Sequence, residues 1–426
     1  MQRLIELTKS DQCKDCKVCC RFPEQSPNLK PSGLNLRKTG ETFTCEAYDT
    51  EACRCAAYTK RPFDCEIYPF AVSKSEDGAC TLLALDSLCP NHEGILYKLK
   101  ETDLAGLEFP EGTEIAWEET FIPIRVLKNS GNGGNKLNTL LNEAVFFFRS
   151  YFFNTGRLSA LGFPYHMIWN HTTSYFWKII NGSFCLFSKT GKDYCLPLPP
   201  YPYSKEACNE CAVLLAGLSS SGFTAFNASA ETAEQAAKDG FASCRTSEEF
   251  LYKRTALAEL KGDNYKAARW LCNVFEKNSD ISFRKYESSD LTSCAEILNA
   301  WYNQKVGKTK YEEDLRLLGH SLNANRAALS MPEKLGLTGR VLRTGSTVAA
   351  YTFGSALSED TFCVYFEISN PAFKGAGQYV FRELCRELIA CKYINTMGHD
   401  GIEGLKTAKE LYKPVEKLGV YTITIK

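Results

Sequence analysis

The sequence predicts an α+β protein in which a loop-rich, cysteine-rich N-terminal domain precedes a larger mixed α/β region. Ten of the twenty cysteines lie within the first ninety of the 426 residues. Residues 1–125 show little helical periodicity and are rich in Cys, Pro and Gly, so we expect a metal to stabilise a segment with so small a core. The C-terminal third instead alternates helical and strand patterns, which is typical of mixed α/β domains.

The composition limits the classes of function. The 50 basic and 50 acidic residues balance, so no global field attracts DNA or an anionic membrane. The first ten residues lack the apolar stretch of a secretory signal, and no apolar run approaches the roughly 20 residues that span a bilayer. We therefore expect a cytoplasmic protein with free thiols, and neither DNA nor a membrane as a partner.

Turn-forming residues and periodicity organise the middle of the chain. Residues 129–135 are nearly all Asn, Gly and Ser, which is typical of a linker. We predict a helix over 137–153, strands within 165–199 with a hairpin turn at Asn181-Gly182, and helices at 205–218 and 230–239.

The C-terminal third has the clearest pattern. We predict helices over 291–301 and 311–329, then strands over 340–343, 347–353 and 361–368. A turn over 370–377 leads into an amphipathic helix that reaches Ile389. A short strand at 393–394, a helix over 402–411 and a strand over 420–425 follow.

The N-terminal cysteines have metal-ligand spacing. The run Cys13-x2-Cys16-x2-Cys19-Cys20 allows one turn to direct two sulfur atoms at the same ion. Further cysteines follow at Cys45, Cys53, Cys55, Cys65, Cys80 and Cys89. Thiolates are soft ligands that select zinc, copper(I) or iron–sulfur centres. His92 is the one histidine in this part of the sequence, so we expect an all-sulfur site.

A family resemblance strengthens the metal hypothesis. The first cysteine run, Cys55-Ala56-Ala57-Tyr58-x2-Arg61-Pro62-x2-Cys65 and Tyr68-Pro69-Phe70 together resemble the YkgJ-type zinc- or iron-chelating domain, over about residues 10–95. The resemblance implies a ligand set of Cys13, Cys16, Cys19, Cys20, Cys45, Cys55, Cys65 and Cys89. Eight thiolates exceed the needs of one four-coordinate zinc, and Cys89-Pro90 resembles the end of ferredoxin cluster motifs. An iron–sulfur cluster is therefore preferred over zinc.

The element order of the C-terminal third resembles the GNAT acyltransferase fold. In that fold the turn between a strand and a helix binds the pyrophosphate of acyl-CoA, and the resemblance assigns this role to Lys374, Gly375 and Gly377. Free backbone N–H groups at a helix start are suited to phosphate. Ala372 replaces the Gln or Arg of the GNAT pattern, so the match is incomplete.

A second resemblance covers about residues 130–426. The motifs Leu260-Lys261-Gly262-x2-Tyr265 and Gly404-Leu405-Lys406-x2-Lys409-x2-Tyr412-x-Pro414, with Glu367, Asn395 and Asp400-Gly401, resemble an uncharacterised family. That family is related to the C-terminal region of phosphatidylglycerol lysyltransferase. It implies two packed GNAT-like domains, 130–245 and 246–426, and transfer from acyl-CoA or aminoacyl-tRNA to a small-molecule or protein amine. Its basic Lys-Arg-Asn run is absent from residues 268–273.

Such a transfer needs a base for the attacking amine and a proton donor for the leaving group. We predict Glu367 as the base and Tyr412 as the proton donor, with Lys406 and Lys409 holding donor phosphates. Each also has a plain structural interpretation: Glu367 as a solvent-facing strand residue, and the lysines as a solvated helix face.

Three hypotheses remain open from the sequence. The first is a GNAT-like acyl- or aminoacyltransferase. The second, from the relatives of the cysteine domain, is a protein lysine N-methylase-like enzyme. The third is a non-catalytic, metal-dependent binding or assembly module. An open cleft lined by Gly375, Gly377 and Glu367 favours the enzyme, and a cleft blocked by side chains favours the module.

Overall fold

The computed structural model describes most of the chain. The described residues are 2–8, 20–22, 35–40, 42–49, 51, 54–57, 60, 63–75, 80–99, 102, 107, 109, 121–128, 138–139, 155–169, 173–218, 222–278, 280–309 and 311–425. The chain divides into two compact units, Met1–Asn138 and Thr139–Lys426. No helix within these ranges is both long enough and apolar enough to cross a membrane.

The N-terminal unit contains small antiparallel sheets and short helices. Its strands are β1 (Arg21–Phe22), β2 (Leu36–Thr39), β3 (Thr42–Cys45), β4 (Tyr48–Asp49), β5 (Arg54–Cys55), β6 (Phe70–Lys74), β7 (Cys80–Asp86) and β8 (Phe121–Lys128). They pair in the orders β1-β3-β2, β4-β5 and β6-β7-β8. The helices are α1 (Gln2–Thr8), α2 (Phe63–Ile67) and α3 (His92–Leu99), and they pack on β6 and β7 around Leu4, Ile67 and Leu83.

The segment that precedes the large sheet differs in part from its prediction. Of the helix predicted over 137–153, Asn138–Thr139 form strand β9, and the other residues lie outside the described part. Residues 165–199 are not all strand, because Phe163–Met167 form helix α4, whose first turn contains Pro164, a residue suited to a helix start. Strands β10 (Ser174–Ile180), β11 (Ser183–Thr190) and β12 (Asp193–Cys195) follow.

The predicted hairpin turn between β10 and β11 is confirmed. Asn181 and Gly182 both have positive φ, 48° and 83°, and Ile180 faces Ser183 across the turn. Two consecutive left-handed residues match the right-handed twist of the flanking strands.

A mixed sheet forms the centre of the second unit. In the described part of the chain it contains eight strands in the order β13-β20-β14-β19-β18-β17-β16-β15. Their bounds are β13 (Thr224–Ala228), β14 (Ala242–Lys253), β15 (Ile281–Lys285), β16 (Thr338–Thr344), β17 (Thr347–Ala356), β18 (Thr361–Ser369), β19 (Tyr393–Asn395) and β20 (Glu416–Thr424). Neighbours are antiparallel except β18 and β19, which run parallel. β14 spans position 245, where we predicted a domain boundary, and the three-domain division stays a prediction.

Helices pack on both faces of this sheet, and the helix Lys205–Ala216 packs instead on β10 and β11. The helices are α5 (Lys205–Ala216), α6 (Ala230–Lys238), α7 (Arg254–Glu259), α8 (Lys266–Phe275), α9 (Leu291–Val306), α10 (Glu312–Ser330), α11 (Ala376–Glu387) and α12 (Glu403–Glu410). The predicted helices over 205–218, 230–239, 291–301, 311–329 and 402–411 are confirmed, α11 ends before its predicted end at Ile389, and α7 and α8 were not predicted. One core joins α9 and α10 to β17 through Leu298 and Tyr351, and another joins α11 to β14 through Leu384 and Phe250.

Candidate functional site

A cleft opens where the two parallel strands separate. β18 pairs with β19 only from Thr361 to Cys363, because β19 ends at Asn395 while β18 continues to Ser369. The cavity measures about 380 Å³ and is bounded by residues 364–368 of β18 and by the loop 396–398 after β19. It contains several of the residues that we predicted from sequence.

A β-bulge turns Glu367 into this cleft. The pairing of β18 with β17 shifts register between Phe366 and Val364. Side chains that alternate between the two faces of the sheet therefore exchange faces beyond this point. Phe366 and Ile368 consequently join the core beneath α9 and α10, and Glu367 faces the side of α11. Bulges commonly redirect a side chain in this way beside functional sites.

Glu367 is accessible to solvent in the cleft, and protein nonetheless packs closely around its carboxyl group. This burial within the molecule raises the pKa of the Glu367 carboxyl to about 8, and the nearby Lys409 charge opposes that rise. The exposed side chain agrees with the solvent-facing interpretation, and its position in the cleft agrees with the predicted base, so the role of Glu367 stays a prediction.

Tyr412 lines the same cleft as Glu367. Its ring makes edge contacts with Tyr252 and Phe381, whose centroids lie 6.5 Å and 5.5 Å away. Burial, followed by the Glu367 charge, raises the pKa of the Tyr412 hydroxyl. The structure therefore brings the predicted base and the predicted proton donor into one cavity.

The two predicted lysines differ in their surroundings. The ammonium of Lys409 donates hydrogen bonds to the carbonyl oxygens of Thr396, Met397 and Gly398, at 3.2 Å for Met397 and 2.6 Å for Gly398. Its N–H donors thus hold the cleft loop, and burial lowers the pKa of Lys409 to about 8. A phosphate-binding role for this residue stays a prediction that this arrangement does not favour.

Lys406 lies on a different side of α12. Leu405, Ala408 and Lys409 line the cavity, whereas Lys406 is not among its lining residues. Its charge instead acts on Glu410, one turn further along the helix, where it helps to lower the pKa of that carboxyl after Lys417. The structure does not bring Lys406 together with Glu367.

The glycine-rich turn passes close to Glu367 at Gly377, although Gly375 and Gly377 are buried and do not line the cavity. A Cβ atom on Gly377 would lie 3.2 Å from Glu367 Oε1 and 3.4 Å from Ser369 Oγ. Gly375 is the N-cap of α11 with φ of 87°, and it provides no side-chain cap for the first N–H groups. Lys374 lies beside this turn with its Nζ 4.6 Å from the centre of the Trp270 ring. The start of α11 is thus adjacent to the predicted base.

Sequence reasoning missed several residues of the cleft. Trp169 and Trp301 contribute aromatic rings, and Asn325 adds a polar group. Asp400, which the sequence analysis named only as part of a family motif, also lines the cleft. Trp301 carried a signal only for the apolar face of α9, because helical spacing identifies burial and not access to a cavity.

A second cavity of the same unit has about 400 Å³ and is lined by Arg157, Tyr201 and the start of α6. It contains none of the residues predicted from sequence. We assign the chemistry to the cleft at Glu367, because strongly perturbed titratable groups converge there.

The predicted metal ligands are only partly within the described residues. Cys13, Cys16 and Cys19 lie outside them, and Cys20, Cys45, Cys55, Cys65 and Cys89 lie inside them. Burial raises the pKa of the Cys45 thiol. Across the described ranges, no group of three or more His, Cys, Asp or Glu side chains is arranged to hold a metal ion.

The described fold is of the predicted α+β class, with a cleft at the divergence of two parallel strands. The family model of the phosphatidylglycerol lysyltransferase C-terminal region matches residues 157–424. That match covers more than half of the chain, so the chain belongs to this family, as its motifs predicted. No curated protein sequence matches the chain.

Solved structures resemble the chain at low sequence identity. A conserved protein of unknown function from Bacteroides thetaiotaomicron is 22% identical, with a TM-score of 0.60 over 68% of this chain and 99% of that one. The C-terminal domain of a lysylphosphatidylglycerol synthetase from Agrobacterium fabrum is 12% identical, with a TM-score of 0.47 over 67% and 93%. L-PGS from Bacillus licheniformis is 15% identical, with a TM-score of 0.48 over 67% and 91%.

Proposed function

We propose that the chain transfers an aminoacyl or acyl group from an activated donor to an amine, in the cleft at Glu367. Membership of the lysyltransferase family supports this class of reaction. The observation that carries the proposal is a cleft-lining carboxyl with a pKa of about 8 that shares one cavity with Tyr412. A general base is most effective when its pKa lies near the working pH.

The proposed reaction needs two proton transfers. Ionised Glu367 takes a proton from the acceptor amine while the amine nitrogen attacks the carbonyl carbon of the donor ester or thioester. The bond from that carbon to the leaving oxygen or sulfur then breaks, and the Tyr412 hydroxyl protonates the leaving group. The products are an amide and a free alcohol or thiol. Glu367 and Tyr412 return to their starting states by proton exchange with water.

We place the donor phosphates at the start of α11. Gly375 leaves the first N–H groups of this helix without a side-chain cap, and such groups favour anions. Gly377 links this turn to Glu367, so phosphates bound there would be close to the base. Acyl-CoA and aminoacyl-tRNA both fit this role, and both fit the predicted cytoplasmic location. The acceptor is a small-molecule or protein amine.

The test is transfer by the purified full-length chain. Labelled aminoacyl-tRNAs and acyl-CoAs are supplied separately with a mixture of small amines and a lysine-containing peptide, and the labelled amide is measured. We expect one donor class to be used and Glu367→Gln to abolish transfer with the fold retained. Glu333→Gln, at an exposed position outside the cleft, is the matched control and retains activity. Equal activity of Glu367→Gln would remove Glu367 from the mechanism, and no transfer with any donor would favour the binding-module hypothesis.

We propose separately that the N-terminal cysteines bind an iron–sulfur cluster or zinc. The spacing of Cys13, Cys16 and Cys19 and the family resemblance of residues 10–95 support this proposal. The protein is purified without oxygen and analysed for iron, zinc and acid-labile sulfide, together with an absorbance spectrum. Cys13→Ser is expected to lose the metal, whereas Cys53→Ser, outside the implied ligand set, retains it. A metal-free wild-type protein would refute the proposal.

A further inference from the structure

The buried carboxyl of Glu249 has no assigned role in the proposed reaction. Glu249 lies on β14, is 6% exposed and does not line the cleft. Its two oxygens accept hydrogen bonds from Ser159 N at 2.8 Å, Ser159 Oγ at 2.5 Å and Asn395 Nδ2 at 2.6 Å. Burying a carboxyl is costly unless its oxygens are hydrogen-bonded, so this arrangement needs a structural or functional reason.

The hydrogen bond to Glu249 fixes the orientation of the Asn395 amide. Asn395 is fully buried, and its Nδ2 donates to both Glu249 Oε2 and the Arg157 carbonyl oxygen, each at 2.6 Å. With both N–H groups so occupied, Oδ1 is directed to the Met397 N–H, from which it accepts a bond of 2.6 Å. If the Asn395 amide were rotated by half a turn, its NH₂ group would face the Met397 N–H, and two donors would oppose each other.

Met397 connects the hydrogen bonds of Glu249 and Asn395 to the cleft. It is a non-glycine residue with φ of 64°, a conformation that costs free energy unless neighbouring groups maintain it. Asn395 holds its N–H, and Lys409 holds its carbonyl oxygen together with those of Thr396 and Gly398. The same three residues form the cleft wall at the end of β19, and Lys409 acts electrostatically on Glu367.

We propose that Glu249 is a positioning residue for the transfer reaction: through Asn395 it holds the Met397 backbone, and thereby the cleft loop 396–398 and the Lys409 ammonium beside Glu367. The inference rests on the proposed function for its catalytic consequence. Its structural part, a buried hydrogen-bond chain that sets the cleft wall, stands on the distances alone.

Two substitutions at Glu249 separate hydrogen bonding from charge. In Glu249→Gln the amide oxygen accepts from Ser159 N and Asn395, and the new NH₂ group donates to Ser159 Oγ, which is able to accept. In Glu249→Met the acceptors are removed at similar volume, which leaves buried N–H groups of Ser159 and Asn395 without this partner. Glu248→Gln, at the neighbouring position of β14, whose carboxyl pairs with Arg245 and Lys417, is the matched control.

Amide hydrogen exchange of residues 395–400 is measured by mass spectrometry beside kcat/KM and its pH profile. In Glu249→Met we expect faster exchange in this segment and unchanged exchange in β16 and β17. We also expect kcat/KM to fall about tenfold or more, since misplaced catalytic groups cost that much. The inflection of the pH profile of kcat/KM moves to higher pH, because the Lys409 charge no longer lowers the pKa of Glu367. Glu249→Gln and Glu248→Gln stay within about threefold of wild type in kcat/KM.

Wild-type exchange in folded Glu249→Met, or equal damage from Glu249→Gln and Glu249→Met, would overturn the inference. If Glu249→Met does not fold, Ser159→Ala removes one donor to the carboxyl, and a smaller increase in exchange at 395–400 is expected, whereas no increase overturns the inference. The exchange result does not depend on transfer. A wild-type protein without transferase activity but with a Glu249-dependent loop would therefore refute the proposed function alone.

Discussion

Replacement of Gly375 by alanine tests the close approach of α8 to the start of α11. Gly375 has φ of 87°, and a Cβ atom there would overlap the Leu271 carbonyl oxygen of α8. The left-handed conformation costs alanine about 1–2 kcal/mol. Relieving an overlap with backbone adds roughly 1–3 kcal/mol, because a helix and not a flexible side chain has to move. We expect Gly375→Ala to lower the free energy of unfolding by about 2–5 kcal/mol.

Gly240 provides the matched control for this measurement. It also has a positive φ, 97°, but nothing lies within 4 Å of its added Cβ. Gly240→Ala therefore pays only the conformational cost of about 1–2 kcal/mol. Urea-induced unfolding of the full chain, followed by circular dichroism, gives both values. Equal losses in the two variants would refute the reasoning, because they would show that the contact with Leu271 contributes nothing.

Four further predictions concern the cleft. With an acceptor amine whose own pKa is below about 6, kcat/KM should rise about tenfold per pH unit up to roughly pH 8 and then level off, as ionised Glu367 accumulates; a flat profile would exclude it as the base. Gly377→Ala places a methyl group 3.2 Å from Glu367 Oε1 and should lower kcat/KM in the transfer assay, and full activity would show that this turn is not close to the reaction. The pKa of Glu367 is raised in the folded state, so the carboxyl of Glu367 contributes its full stability below its unfolded pKa of about 4.3. This contribution is lost as the pH rises through about 8. Urea unfolding should therefore show Glu367→Gln gaining stability relative to wild type between pH 6 and pH 9. Lys409→Met removes the donor to three loop carbonyls and a charge beside Glu367, so the inflection of the pH–rate profile should move upward, and an unchanged inflection would separate Lys409 from the base.

Local sequence patterns predicted much of the second unit. Periodicity, start signals and turn residues lie within a few positions of one another in helices α9 and α10 and in strands β16 to β18. The predicted bounds of these elements agree closely with the structure. Asn181-Gly182 likewise specified its own hairpin. One prediction that was wrong is Phe163–Met167, where aromatic residues favoured a strand and Pro164 at the first turn favoured the helix that forms. The elements from β13 to β15, other than α6, were not predicted.

The site was predicted less completely because its geometry is non-local. The sequence placed Glu367 on a strand before the glycine-rich turn, but its orientation depends on a bulge against β17. Glu249 and Asn395 are 146 residues apart, and no local pattern signals their hydrogen bond. Lys406 and Lys409 appeared equivalent in the sequence, and only the packing of α12 distinguishes them.

The order of strands in the central sheet has a consequence for biosynthesis. β20 lies between β13 and β14, although the ribosome makes both of those strands about 160 residues or more before it, so their neighbouring edges remain unpaired until β20 emerges. Exposed strand edges attract other chains, and a nascent chain stalled before residue 416 would present two of them. Truncated products of this gene are therefore expected to be substrates for chaperones and proteases rather than smaller stable proteins.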